Sequence, residues 1–365
     1  MNEKKLSRRE FIRDGSALTA SGIAAGAAIA GTACQTAPKA AGLSAEVSKT
    51  LNYNPKMRYR KMGKTGLWVS AVSLGGHWKT REGGRYWAAF ENDRVPGDAL
   101  ANREKAIARA CELGINYVDI TTPAEALVYG QALKNLKLKM YVGYSDHILC
   151  MRDKRNRTVE ALTREINEGL RRLQVDCIDI FRESADMAGR HTDDEIKNVV
   201  EAFHKAHEQG KVRYLGISSH SRPFHERIIQ TFPDFSLVIF PFPFGAQLDE
   251  ANSLFRLAAK RNVGVACIKP FNGGSLFRTE NKPAPVQQLG GDDIASLSLR
   301  TAVSVEQMSC ILPGLTEPSE IENAARCASA PPLNSEERRM RDLLAPTMWA
   351  SLPSAYAWLR NWAVV

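Results

Sequence analysis

From about residue 69 onward, short β-branched apolar runs alternate with stretches whose apolar residues recur every three or four positions. The runs are VSAVSL (69–74), INYVDI (115–120), MYVGY (140–144), CIDIF (177–181), VRYLGI (212–217), SLVIFP (236–241), VGVACI (263–268) and MSCILP (308–313). Their near-continuous apolarity predicts strands of a parallel sheet covered by helices on its faces. The intervening stretches predict helices beginning near Arg103, Ala124, Thr158, Asp193, Arg222, Asp249, Gly291 and Pro318. In EALTREINEGLRRL (160–173), Leu162, Ile166, Leu170 and Leu173 fall on one face. Eight such units over roughly 260 residues predict an α/β fold, a closed (β/α)8 TIM barrel, whose chemistry lies at the carboxyl ends of its strands. MRYRKMGKTGLWVS reads as an N-terminal hairpin capping the barrel's bottom. Beyond about Pro331, EERRMRDLL and a Trp- and Tyr-containing tail read as a C-terminal helical extension.

Ahead of the barrel the pattern changes. Ser7-Arg8-Arg9-Glu10-Phe11-Ile12-Arg13 precedes the weakly hydrophobic run ALTASGIAAGAAIAGTA. Paired arginines followed by such a run resemble a twin-arginine export signal, so residues 1–33 are expected to be removed and the protein to be periplasmic or exported. Gly31-Thr32-Ala33-Cys34 is similar to a lipoprotein cleavage box, which would anchor the chain to a membrane through Cys34. Residues 34–55, rich in Ala, Pro, Lys and Ser, read as a flexible tether. The expected organisation is thus a signal (1–33), a tether (34–55), a barrel (56–330) and the extension (331–365). The formal net charge of +9 is interspersed along the chain without a long Lys/Arg run or aromatic–basic alternation, which argues against nucleic-acid binding. Seven cysteines show no C-x-x-C or Cys/His spacing, so neither an iron–sulfur cluster nor a metal site is expected. Buried free thiols are the expectation instead.

Four motifs then stand in order on the predicted strands: RYRKMGKTGLWVSAVSLGG, GINYVDI, GKVRYLGISSHS and ILPGLTEPSEIEN. From about Met57 to Ala330 the chain resembles an aldo-keto reductase. That resemblance implies reduction of a small carbonyl or sugar substrate with NADP or NAD. It also implies a tetrad of aspartate, tyrosine, lysine and histidine at the barrel mouth. Only Asp119 keeps its place. Ala124 stands at the tyrosine position, Ser145 at the lysine position and Ser184 at the histidine position. On the cofactor side the resemblance assigns Ser218 and Ser219 to the carboxamide, Phe242 to stacking on the nicotinamide, and Lys269, Pro313, Gly314 and Asn323 to the remaining contacts. No arginine or lysine lies between Leu315 and Asn323, where a 2'-phosphate would favour one.

A carboxylate at a barrel mouth needs a partner, because a buried lone charge is costly. Arg182 is the candidate to replace the missing lysine, either as catalytic partner or as a structural salt bridge. His147, just beyond the third strand, titrates in the right range for a general acid or base. Tyr144 offers a phenol if its side chain turns inward. His220 also comes within reach of the mouth. Trp78 is expected to wall the pocket, and REGGRYW (81–87) to form a lid. Three functions stay open: an exported oxidoreductase with a bound nicotinamide cofactor, a non-catalytic small-ligand-binding barrel, and an enzyme using Asp119 and Glu183 as a carboxylate pair.

Overall fold

The apolar runs assemble as a parallel ring. The structure, a computed structural model, describes residues 45–79, 93–249, 251–278 and 282–365. The twin-arginine stretch, Cys34 and the REGGRYW loop lie outside the described residues. Strands β1 (Tyr59–Lys61) and β2 (Trp68–Ser70) form an antiparallel hairpin. The strands β3 (Tyr117–Ile120), β4 (Tyr141–Tyr144), β5 (Ile178–Ser184), β6 (Val212–Ser218), β7 (Phe235–Pro241), β8 (Gly264–Ile268) and β9 (Cys310–Leu312) run parallel in that order.

The first predicted strand, 69–74, divides. Its start belongs to the hairpin, and its end closes the barrel. Val72 bridges Ile311 and Leu74 bridges Val118, both in parallel. Ser73 N donates to Ile311 O, Leu74 N to Tyr117 O and Gly75 N to Pro313 O, at 2.9–3.0 Å. The ring is therefore a closed (β/α)8 barrel.

Among the described residues the helices that cover it are α1 (Gly97–Glu112), α2 (Pro123–Leu136), α3 (Val159–Leu173), α4 (Asp193–Glu208), α5 (Arg222–Thr231), α6 (Leu254–Lys260), α7 (Gly291–Val303) and α8 (Pro318–Ser329). Side-chain caps fix several of the starts. Thr122 accepts from Glu125 N, Thr158 from Ala161 N, and Thr192 closes a reciprocal box with Glu195. The helix expected near Asp249 begins later because Ser253 caps it, while Asp249 Oδ1 accepts the amides of Ala251 and Asn252 in the preceding turn. The helix expected near Arg103 begins at Gly97, since its first turn carries no apolar stripe that would mark the start.

Alternation along the strands divides the core. Tyr117, Ile180, Leu237, Ile239, Ala266, Cys310 and Leu312 fill the barrel interior, with Met62 and Leu67 of the hairpin closing its lower end. The outward side chains join the larger layer beneath the helices. Residues 50–54, at the end of the stretch read as a tether, are tied down: Thr50 Oγ1 donates to Trp68 O and Asn52 Nδ2 to Lys139 O. Past the barrel, α9 (Ser335–Ala350) and a 3-10 stretch (Ser354–Trp362) form the extension. It is built into the body. Trp362 is wholly buried, stacks on Phe240 at 5.4 Å and donates through Nε1 to His220 O at 3.0 Å. The six described cysteines are free thiols.

Candidate active site

The carboxyl ends of the strands open onto one cavity of about 510 Å³. Asp119, Thr121, His147, Arg152, Arg182, Ser184, Ser218, His220, Lys269, Gly314 and Tyr356 all contribute to its wall. Asp119 and Arg182 lie at its floor, 3% and 2% exposed. Arg182 Nε donates to Asp119 Oδ1 at 3.1 Å and Nη2 to Oδ2 at 3.0 Å. The pair spans an intervening strand, since β4 lies between β3 and β5. Gly143 makes this reach feasible. It pairs with Asp119 in register, and a side chain there would collide with the Tyr117 hydroxyl and approach Asp119 Oδ1 to 2.9 Å. On the other side Gly216 pairs with Arg182. Two glycines thus make room for one guanidinium.

The rest of that guanidinium is also committed. Nη1 donates to Ser184 Oγ at 2.7 Å, and Ser145 Oγ donates to the same oxygen at 2.8 Å. Ser184 therefore holds the arginine directly, and Ser145 holds Ser184. Burial lifts the Asp119 carboxyl above its ordinary value, and the Arg182 guanidinium and the Tyr117 hydroxyl work against that lift.

Several expected site residues turn away. Tyr144 is buried with its ring against Gly169 of α3, and its hydroxyl lies 3.5 Å from Asp146 Oδ2. Strand alternation sends it outward, so it does not supply a phenol to the mouth. Glu183 also faces α3. Its Oε1 accepts from Met151 N and Ser184 N, and it meets Glu165 rather than Asp119, so no Asp119–Glu183 pair forms. Phe242 packs edge-on against Phe255 of α6 at 5.7 Å, while Ile239 faces the cavity. Ser219 Oγ donates to Asp186 O, and Asn323 ties α8 to α7 through Ser296 Oγ and Asp292 O. Pro313 contributes a carbonyl to barrel closure, and Gly314 reaches the cavity. Trp78 is buried beneath the Arg103 guanidinium, 4.3 Å away, and is not a cavity wall.

The remaining expected residues are brought together. His147 stands on the rim, where desolvation lowers its imidazole below the ordinary range. Ser218 and Lys269 line the wall, the latter with its ammonium 5.8 Å from the centre of the Tyr356 ring. Sequence reasoning missed Arg152, Lys79 and Tyr356. They come from loops and the tail, where no periodicity assigns a side chain to a face. The turn after Gly314 holds a further departure: Thr316 N and Glu317 N both donate to Glu320 Oε2, at 2.7 and 3.0 Å. The amides that open α8 toward an anion are thus taken by the chain's own carboxylate.

Comparison with known proteins accords with this architecture. The model of the Aldo/keto reductase family matches residues 98–344. An L-galactose dehydrogenase of Arabidopsis thaliana is 24% identical over 314 residues, covering 80% of this chain and 94% of that protein. Among solved structures, an aldo-keto reductase from Bacillus halodurans in its holo form superposes with a TM-score of 0.60 at 20% identity, covering 79% of this chain and 96% of that one. An aldo-keto reductase from Klebsiella pneumoniae in complex with NADPH gives 0.59 at 17% identity, over 80% and 95%.

Proposed function

The chain belongs to the aldo/keto reductase family, and on that premise we propose that it is an oxidoreductase acting on a small carbonyl or sugar substrate with a nicotinamide cofactor. The observation that carries the proposal is the polar cavity at the strand ends, which unites His147, Ser184 and Ser218 beside the Asp119–Arg182 pair. The likeness to an L-galactose dehydrogenase favours a sugar.

Ser218, Gly314 and the Gly273–Gly274 turn fit the near part of a dinucleotide. Gly274 has φ +92°, and 3.7 Å to Lys79 Nζ is the closest approach a side chain there would make. The turn at Thr316–Glu320 does not fit a 2'-phosphate, because Glu320 occupies its amides and no arginine or lysine lies between Leu315 and Asn323. NAD is therefore the cofactor form we propose. When bound, it accepts or supplies the hydride.

The chain's own part is orientation and proton movement. Ser184 Oγ accepts from Arg182 and Ser145, which leaves its hydroxyl proton to bond the substrate oxygen. Donation by the guanidinium polarises that hydroxyl. His147, neutral at pH 7 because its imidazole is lowered, takes the alcohol proton in the oxidation direction and returns it in reduction. Asp119 holds Arg182 in place.

A second reading takes its support from the sequence resemblance, which aligns Ala124, Ser145 and Ser184 with the family's tyrosine, lysine and histidine. On that reading the barrel binds a sugar without turnover. Titrating the full chain with NADH and NADPH, followed by nicotinamide fluorescence, separates the two. Tighter binding of NADH, with galactose oxidation that falls about 100-fold or more in His147→Ala, supports the oxidoreductase. Binding of sugar with no nucleotide binding establishes the second reading. We further propose export by the twin-arginine route with Cys34 as a lipid anchor. Replacing Arg8 and Arg9 together by lysine should leave the protein in the cytoplasmic fraction.

A further inference from the structure

His147 is carried by an irregular loop after β4, and Ile148 beside it is 61% exposed. With solvent on one side, the loop depends on what holds it from beneath. Three successive amides are taken. Asp146 N donates to Glu165 Oε1 at 2.8 Å, His147 N to Thr121 O at 3.2 Å and Ile148 N to Asp146 Oδ1 at 2.8 Å. Further along, Met151 N donates to Glu183 Oε1 at 2.8 Å, and Ser184 N donates to that same oxygen at 2.9 Å. One carboxyl from α3 and one from β5 thus grip the loop on either side of Ile148. The second also fixes the strand end that presents Ser184 to the cavity.

Glu165 and Glu183 are both wholly buried and are hydrogen-bonded to each other. The Oε2 of each receives no other donor among the described residues. The neighbouring cations are committed elsewhere: Arg172 to Asp146, Arg182 to Asp119 and Ser184, Arg152 to Ala185 O, and Arg157 to Met151 O and to Glu195 of α4. Tyr144 and Cys150 also lie against the pair, and burial pushes the hydroxyl of one and the thiol of the other up, so both stay neutral. Two carboxyls buried together, neither bonded to a cation, coexist only if they hold a proton between them.

We propose that Glu165 and Glu183, sharing one proton, are positioning residues that hold the His147 loop and the Ser184 strand end at the cavity, and that the hold weakens when the proton is lost. The inference rests on the oxidoreductase reading only for its consequence in turnover. Burial, then the charge of Glu183, raises the Glu165 carboxyl in the closed loop. Opening the loop lets water reach the pair, and Glu165 then ionises near the ordinary value of 4.5. Closing takes the proton back up. Closure is therefore complete below that value and weakens by up to about tenfold per pH unit above it, until the raised folded value is passed.

Hydrogen exchange of the full chain tests this without turnover, read by mass spectrometry on the peptide spanning residues 145–152 and corrected for the intrinsic pH dependence of exchange. Between pH 5 and 9 the wild-type loop should lose protection about tenfold or more. Strand β8, three places from β5 in the ring, should change less than the loop. In Glu165→Gln the amide donates to Glu183 without titrating, and loop protection should stay within about twofold. Glu183→Gln is the second variant, with the same expectation. A wild-type loop whose protection does not change with pH overturns the proposal. So does a loss shared equally by β8, which would make the pair a support of the whole barrel, or an equal loss in the glutamine variants. If neither variant folds, the wild-type comparison of loop and β8 decides alone. Galactose oxidation is followed over the same range, where wild type should fall relative to Glu165→Gln as pH rises. A pH-dependent loop without turnover upholds the positioning role while defeating the oxidoreductase reading. Turnover with constant loop protection does the reverse.

Discussion

Arg182 and Glu183 are consecutive residues of β5 that face opposite ways and show two solutions to one difficulty. On the inner side, the buried Asp119 carboxylate is held by a bidentate guanidinium and the Tyr117 hydroxyl. On the outer side, Glu183 and Glu165 are both fully buried, and the Oε2 of each has no donor. Two carboxylates cannot meet there unless one is an acid. Burial, then the charge of Glu183, pushes Glu165 well above the ordinary carboxylate range, and Glu165 donates its proton to Glu183. Asp146 N anchors to Glu165 Oε1, and Asp146 in turn pairs with Arg172 at 2.6 Å. The inner face keeps charge where a ligand can feel it. The outer face removes charge and keeps the hydrogen bonds.

The contrast can be broken most sharply on the inner side. Arg182→Ala leaves Asp119 buried without its cation and should cost about 3–5 kcal/mol in denaturant unfolding. Asp119→Asn combined with Arg182→Met should recover most of that loss. On the outer side Glu165→Ala strands Glu183 Oε2 and should cost about 1–3 kcal/mol at pH 7.

Glu165→Gln sharpens the comparison, because an amide N–H replaces the shared proton. The folded chain holds a proton that the unfolded chain releases near the ordinary value of 4.5. Its contribution is complete below that value and is lost as pH rises toward the raised folded value. Wild type should therefore lose stability over that window by up to about 1.4 kcal/mol per pH unit relative to Glu165→Gln. Unfolding curves of both proteins between pH 5 and 9 read the difference, and parallel curves would show that no proton is held. Tyr144→Phe should have the smallest effect, about 0.5 kcal/mol, given the long 3.5 Å contact of its hydroxyl with Asp146.

The same strand explains what sequence could and could not tell. The ring of strands was legible because burial on both faces leaves continuous apolar runs, as in SLVIFP. Asp119 was legible because a carboxylate ending such a run breaks the pattern. Facing was not. In four-residue strands such as β4, both Tyr144 and Gly143 are buried, and apolarity does not tell inside from outside. Phe242 was misplaced for the same reason, since it follows a strand whose every residue is buried. The loop and tail groups Arg152 and Tyr356 carried weaker traces, a basic stretch RDKRNR and an aromatic-rich end. Neither trace says which way a side chain points.

The joint that completes the ring has a kinetic consequence. Val72 meets Ile311 across about 240 residues of chain, and an unassisted loop of that length costs on the order of 5 kcal/mol of chain entropy to close. Pairings between successive strands form locally, whereas this seam has to wait for both ends of the barrel. Its contact order marks it as the slow event in refolding. A circular permutant opened in the 186–192 loop, with its former ends joined, would cut the separation across the seam to about 126 residues, easing its closure by about 0.6 kcal/mol, and should reach the native state modestly sooner.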